Sequence, residues 1–368
     1  MEIERLETFS TQTVSFVRVH TADGDVGTGQ IAPYNADIAT AVFHRQVAPH
    51  ALGREVDSLD GIGTLANDIV KAAYKFPWSY VCRAVTGLET ALWDVHGKRR
   101  GEPVVSLLGG EPEPIPAYGS SMRRDIEPED EAERLARLHA EEGYEAFKIR
   151  IGSWDSKGDD EDQWPGRTEA LVPTVRDAVG DDVEIFVDAN SAYTPEKAIE
   201  VGEEVLAPND VVHYEEPCPY WELEWTAEVT EALDVPVTGG EQDNDLAQWR
   251  RMIEMDAVDV VQPDVCYIGG LSRTLEVAEM AADAGKLCTP HSANHSLVTV
   301  FTLHLLGAIE NAGPYLEYSI EDHWAEGLFT PELSVEDGRV PIPNGPGWGV
   351  ELDPEWLAMA QYEVSEVE

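Results

Sequence analysis

The sequence predicts an α/β protein: a (β/α) barrel over residues 114–319, an α+β capping domain over residues 1–113, and a C-terminal segment, 320–368, that packs back on the capping domain. Three observations lead there. From Pro114 onward, short apolar runs alternate with helical stretches through eight units, a rhythm that suits a barrel better than a doubly wound sheet. The first 113 residues follow a different order, with strands first and helices after. The total length, 368 residues, exceeds a barrel of roughly 200–250 residues by about one further module.

At the N-terminus, Val14-Ser15-Phe16-Val17-Arg18-Val19-His20 has the alternation of a strand, and Ala22-Asp23-Gly24 turns the chain into Val26-Gly27-Thr28-Gly29, so a hairpin or meander opens the protein. The link between the first two strands, Ser10-Thr11-Gln12-Thr13, is too short for a long covering loop. Tyr34, Lys75, Phe76 and Trp78 are the candidates for walls that this module adds to a binding site. From Val81 to Arg99, Val85, Leu88, Leu92 and Val95 form the apolar stripe of a helix that ends at Gly101.

The barrel strands are expected at 115–120, 146–151, 183–188, 211–215, 235–239, 258–262, 286–289 and 315–318. The tail carries the turn Pro343-Asn344-Gly345-Pro346 and a short helix near Pro354–Tyr362, too little to fold alone.

Charge narrows the function classes. The chain has 71 Asp+Glu against 25 Lys+Arg, a net charge of −46 spread over its whole length, with local runs such as Asp159 to Asp162. Such a surface lacks the clustered Lys and Arg that nucleic-acid binding requires. Each run by itself reads as a solvated face, but the whole suggests adaptation to high salt, where counter-ions screen the self-repulsion. Cys82, Cys218, Cys266 and Cys288 form no CxxC pair, so neither a disulfide framework nor a zinc site is expected. The N-terminus has no signal-peptide pattern and no apolar run approaches about 18 residues, which predicts a cytoplasmic protein with no membrane partner.

The chemistry sits at the strand ends: Lys148 and Arg150, Asp188, Glu215, Glu241, Asp264, His291 and Glu317 are all ionisable. In a barrel those ends and the loops after them line the mouth. Asp188, Glu215 and Glu241 are one βα unit apart in succession, which aims three carboxylates into one space. A lone strand-end carboxylate usually caps the next helix, but three crowded together repel strongly and call for a positive charge. A hard, oxygen-seeking divalent ion fits, and Mg²⁺ suits better than Zn²⁺ because no Cys or His accompanies these three ends.

With these residues in view, the whole chain resembles the enolase superfamily and, within it, the mandelate racemase subgroup. The resemblance runs from Asp23-Gly24-Asp25-Val26-Gly27 through Gly87-Leu88-Glu89-Thr90-Ala91-Leu92-Trp93-Asp94 and Leu107-Leu108-Gly109-Gly110 to Pro346-Gly347-Trp348-Gly349. It implies a modified (β/α)7β barrel of the TIM type and an even-numbered assembly, commonly a dimer or octamer. Phe186-Val187-Asp188-Ala189-Asn190, Tyr214-Glu215-Glu216-Pro217 and Gly239-Gly240-Glu241 look like the family's three metal-ligand strands, which assigns Asp188, Glu215 and Glu241 to Mg²⁺ and leaves Glu216 in support.

Gln262-Pro263-Asp264 and Pro290-His291 resemble the subgroup's dyad, in which a carboxylate fixes the imidazole tautomer and the other nitrogen takes the substrate proton. His295 has no such partner and is read as structural. Glu317 resembles a protonated carboxyl that donates to the substrate carboxylate.

One departure shapes the expected reaction. The subgroup's namesake carries Lys-x-Lys on its second barrel strand, the second Lys serving as a base; here the pair is Lys148-x-Arg150. Arginine stays protonated and is a poor proton acceptor, though well shaped to hold a carboxylate or hydroxyl. A racemase needs two opposed bases, whereas elimination needs one. Elimination is therefore expected, and the resemblance implies the reaction of many members of the subgroup, dehydration of an acid sugar through an enediolate, with His291 as base and Lys148 and Glu317 stabilising charge. Racemisation, epimerisation or cycloisomerisation of a hydroxy acid is the alternative on this fold, and a non-catalytic sugar-acid binding barrel is the alternative of another class.

Overall fold

The computed structural model describes residues 1–75, 78–321 and 324–367. Three antiparallel strands, β1 (Ile3–Ser10), β2 (Ser15–Thr21) and β3 (Val26–Ile31), open the chain. The tail returns to add Gln361–Glu366 along the free edge of β1. The helix expected near 354–362 thus ends at Met359, because the residues after it gain a ladder partner on that edge. Over this sheet lies the long helix Ser79–Arg100, which is buried almost throughout from Val81 to Gly97 because the sheet covers one side and the barrel the other. Gly29 in β3 makes the close approach possible, since a Cβ there would lie 2.4 Å from the Gly87 carbonyl oxygen.

Eight parallel strands follow: β4 (Ile115–Ser120), β5 (Ala146–Arg150), β6 (Glu184–Asp188), β7 (Val211–Glu215), β8 (Val237–Gly239), β9 (Val260–Val261), β10 (Leu287–Cys288) and β11 (Leu316–Ser319). They lie side by side in chain order, and β11 pairs with β4. The ring closes where the Cys288 N–H donates to the Asn311 carbonyl at 2.8 Å and the Gly313 N–H to the Cys288 carbonyl at 2.9 Å. Helices separate successive strands, and among the described residues none follows β11 until Pro354–Met359, which makes the barrel (β/α)7β. No described helix is long and apolar enough to cross a membrane.

Alternation along the strands sorts the side chains. In β5 all five residues are buried, with Phe147 and Ile149 in the core shared with the outer helices and Ala146 in a small interior cluster with Tyr118 and Phe186. The same alternation turns Lys148 and Arg150 inward above that cluster. His213, stacked on Phe186 with ring centroids 4.7 Å apart, continues the polar layer on β7.

Candidate active site

The mouth gathers its groups from every side of the ring. Arg150 is paired with Asp188, and Asp188 stands level with Glu215 on the neighbouring strand. Deeper in, the Lys148 ammonium lies 2.7 Å from both Glu215 Oε2 and Glu317 Oε1, and 3.8 Å from Asp188 Oδ2. Burial by itself would strip its proton, but Glu215 and Glu317 outweigh that and hold Lys148 above its ordinary value. Burial likewise opposes charge on Glu215, yet Lys148 and then His213 keep it well below the usual carboxylate range. Gln262 Nε2 donates to the same Glu215 oxygen at 2.9 Å.

Across the mouth, His291 Nδ1 is 2.8 Å from Asp264 Oδ2, and Asp264 Oδ1 caps the turn after β9 by accepting from the Cys266 and Tyr267 N–H groups at 2.7 and 3.0 Å. The carboxylate is therefore held at both oxygens and fixes the ring. His291 Nε2 faces Glu241 Oε2 at 2.9 Å, a close contact that lacks the alignment of a hydrogen bond. Burial disfavours the imidazolium, but Glu241 and Glu317 outweigh it and raise His291 well above its ordinary value.

Glu317 departs from expectation. It accepts from Ser120 Oγ at 2.8 Å and from the Ser292 N–H at 2.9 Å, and although burial favours the acid, Lys148 and His291 pull its carboxyl down to about 2. A carboxylate ringed by donors is ionised, so in this arrangement Glu317 accepts hydrogen bonds and does not donate one.

Glu215 Oε1, Glu241 Oε2 and the neighbouring Glu216 Oε1 are buried oxygens without a hydrogen-bond donor. Glu241 Oε2 already faces His291 and Glu216 is pushed toward its neutral acid, which leaves Glu215 Oε1 as the clearest bare anionic oxygen; such an oxygen is costly when buried, and a divalent ion is the partner that oxygen-only donors suit. Among the described residues no three His, Cys, Asp or Glu side chains stand as a ready-made cage, because Lys148 and Arg150 fill the space over Asp188 and Glu215. Glu216 is also strained, at φ 41°, and burial followed by Glu241 and Glu215 pushes its carboxyl well up.

Above these groups opens a cavity of about 610 Å³, walled by Arg124, Arg150, Trp154, Asn190, Tyr267 and His291, with Tyr34 and Trp324 among its other walls. Of the wall candidates from the capping domain, Tyr34 reaches this cavity. Lys75 instead lies over the Tyr74 ring and Trp78 packs on the capping-domain core; Phe76 falls outside the described residues. His295 bonds the Ser319 carbonyl at 2.8 Å. Sequence reasoning missed Arg124, Gln262 and His213. Gln262 and His213 alternate inward with the expected strand-end residues and were detectable on that ground, whereas Arg124 lies in a loop beside the exposed Arg123 and carries no such signal.

Residues 130–356 match the enolase C-terminal domain-like family, and residues 4–109 match the mandelate racemase/muconate lactonizing enzyme N-terminal domain. The chain belongs to the enolase superfamily. It is 29% identical over 338 residues to the arabinonate dehydratase of Saccharolobus solfataricus, covering 90% of this chain and 86% of that one. A crystal structure from Roseobacter denitrificans, provisionally named a racemase, superposes with a TM-score of 0.96 at 54% identity over 100% of both chains.

The L-talarate dehydratase of Polaromonas sp. JS666, solved with Mg and L-glucarate, has a TM-score of 0.85 at 25% identity, covering 100% of this chain and 99% of that one. Enzymes of this superfamily depend in general on Mg²⁺, and acid-sugar dehydratases recur among the chain's relatives.

Proposed function

We propose that the protein is a Mg²⁺-dependent hydro-lyase that dehydrates an acid sugar, an aldonate or aldarate, to a 2-keto-3-deoxy acid. The observation that carries this reading is the asymmetry of the mouth: one side holds a buried imidazole oriented by Asp264, and the far side of the ring offers Arg150, a permanent cation already paired with Asp188. One base serves elimination; two are needed to invert a centre.

Asp188, Glu215 and Glu241 would hold the ion, which would supply Lewis-acid charge to the substrate carboxylate. Lys148, pinned by Glu215 and Glu317, places its ammonium where negative charge grows as the α-proton departs. His291 takes that proton at Nε2 while Asp264 keeps Nδ1 protonated. Glu241 is also the neighbour that most strongly draws a proton onto His291, and it would be one of the residues that hold the ion. The resulting imidazolium returns the proton to the departing β-hydroxyl, water leaves, and the enol rearranges to the keto acid.

The same reading includes a cytoplasmic, salt-adapted enzyme, supported by the net charge of −46, and an even-numbered homo-oligomer, supported by family kinship. The provisional name of the Roseobacter neighbour favours a second reading, racemisation. Incubation of the Mg²⁺-loaded enzyme with a panel of aldonates and aldarates separates them. Keto-acid formation that chelation abolishes supports dehydration, and epimer or lactone isomer formation without water loss overturns it.

A further inference from the structure

In a chain with 71 acidic residues and 25 basic ones, a buried arginine without a carboxylate partner is unexpected. Arg124 shares that condition with Arg167, Arg176 and Arg273, but those three spend their guanidinium groups mainly on main-chain carbonyls, whereas Arg124 also lines the cavity above the site. Arg124 is 6% exposed, and among the described residues it forms no ion pair. Its Nε donates to the Ile151 carbonyl at 3.2 Å and its Nη2 to Asn190 Oδ1 at 2.9 Å. That same amide oxygen also receives Arg150 Nη1 at 3.2 Å, so two guanidinium groups converge on one neutral acceptor.

Two like charges at that separation repel, and a single amide oxygen compensates them poorly. Burial, and after it the charges of Arg150 and Arg167, pull the Arg124 guanidinium down to about 9. Arg150 has Asp188 as its counter-ion; Arg124 has none. The other carboxylates on the cavity wall are engaged elsewhere, Glu321 by Arg134 at 2.9 Å and Glu241 beside His291. Lys157, within 5.7 Å of the Trp154 ring that Arg124 also faces, adds further positive charge at this rim.

Position matters as much as charge. Arg124 spans the ends of β5 and β6, contacting Ile151 and Asn190, while His291 follows β10, which lies diametrically across the ring from β6. It also sits outside the Lys148–Glu215–Glu317 group that lies deeper in the barrel. A substrate whose first carboxylate is held deep therefore presents its far end to the outer wall of the same cavity, where Arg124 waits.

We propose that Arg124 binds a second anionic group at the distal end of the substrate, so that the preferred substrates are dicarboxylic acid sugars and not aldonates ending in a neutral hydroxymethyl group. This rests on the dehydratase reading above and names its substrate class. A distal phosphate would satisfy the same guanidinium chemistry, so the substrate panel must include that source.

The test compares kcat/KM of the Mg²⁺-loaded enzyme for stereochemically matched aldarates, aldonates and phosphate-terminated aldonates, with keto-acid release as the readout. The expected result is an aldarate preference, and the aldarate-to-aldonate ratio falls about 10–100-fold in Arg124→Gln, chiefly through KM, with partial recovery in Arg124→Lys. A wild-type preference for aldonates or for phosphate-terminated substrates overturns the proposal while leaving dehydration intact. Dehydration of none of the three overturns the functional reading itself. Should Arg124→Gln fail to fold, the wild-type panel and the lysine variant still decide the question.

Discussion

His304 offers a sharp test of how the barrel is joined to the rest of the protein. It lies in the helix Leu297–Leu306, which follows the His291 loop, and is fully buried. Its Nδ1 accepts from the Val105 N–H at 3.0 Å and its Nε2 faces the Trp348 carbonyl at 3.2 Å, so the neutral Nε2–H tautomer satisfies both partners. Protonation would turn Nδ1–H against an N–H donor. Burial accordingly lowers its pKa from 6.5 to about 4, with only partial relief from the Trp348 carbonyl.

The unfolded chain thus binds a proton before the folded one does, and stability falls as the pH drops below 6.5 until the folded pKa is passed. The stability contribution is complete above about pH 6.5. About 2.5 kcal/mol of it is lost by about pH 4.5 and about 3.4 kcal/mol well below about pH 4. For a chain of this length, with about 2.1 cal/mol/K of unfolding entropy per residue, about 2.5 kcal/mol corresponds to a shift of about 3 °C in Tm.

His304→Gln keeps one acceptor and one donor but cannot titrate. Thermal unfolding of both proteins at pH 7.5 and pH 4.5, in the same high salt, isolates the term because all other titrations cancel. The wild-type protein should lose about 3 °C more than the variant over that interval. Equal losses in the two proteins would show that His304 is not held neutral by its partners.

Other consequences follow from the same structure. His291→Ala should lower kcat by at least about 10³-fold while Mg²⁺ still raises the unfolding temperature, because the ring is not one of the proposed ligands; near-normal turnover would show that another group is the base. Asp264→Asn should lower kcat about 10²–10⁴-fold through the wrong imidazole tautomer with little change in Tm, since Asn can still cap the Cys266 and Tyr267 amides; a large fall in Tm would show that the cap, not the tautomer, is what Asp264 supplies.

Gly97→Ala reverses a familiar sign. In an open helix the change stabilises by about 1 kcal/mol, but here the new Cβ would lie 2.6 Å from the Gly347 Cα, so a loss of about 1–3 kcal/mol is expected by thermal unfolding. Raising KCl from about 0.1 M to about 2 M should lift Tm on the order of 10 °C by screening a net charge of −46, and a flat or falling response would remove the case for salt adaptation.

The α/β fold class was legible in the sequence because its signals are local. A parallel strand buried on both faces reads as a short apolar run, successive strands start 23 to 38 residues apart with room for a helix between them, and alternation within a strand decides which side chains face inward. Those rules alone align Lys148, Arg150, Asp188, Glu215, Glu241, Asp264, His291 and Glu317 at strand ends. Strand limits were less legible: β9 and β10 are two residues each, because ladder pairing there is shorter than the apolar runs that contain it.

What only the tertiary structure decided is how these groups act on one another. The charge of Glu317 depends on Lys148 from β5, Ser120 from β4 and Ser292 beyond β10, so no local pattern could show that it is ionised. The same is true of the bare oxygen on Glu215, and of Arg124, whose importance lies in an absent partner and in a shared contact with Asn190. Periodicity places side chains on a face, but ionisation and desolvation are sums over neighbours that folding brings from distant parts of the chain.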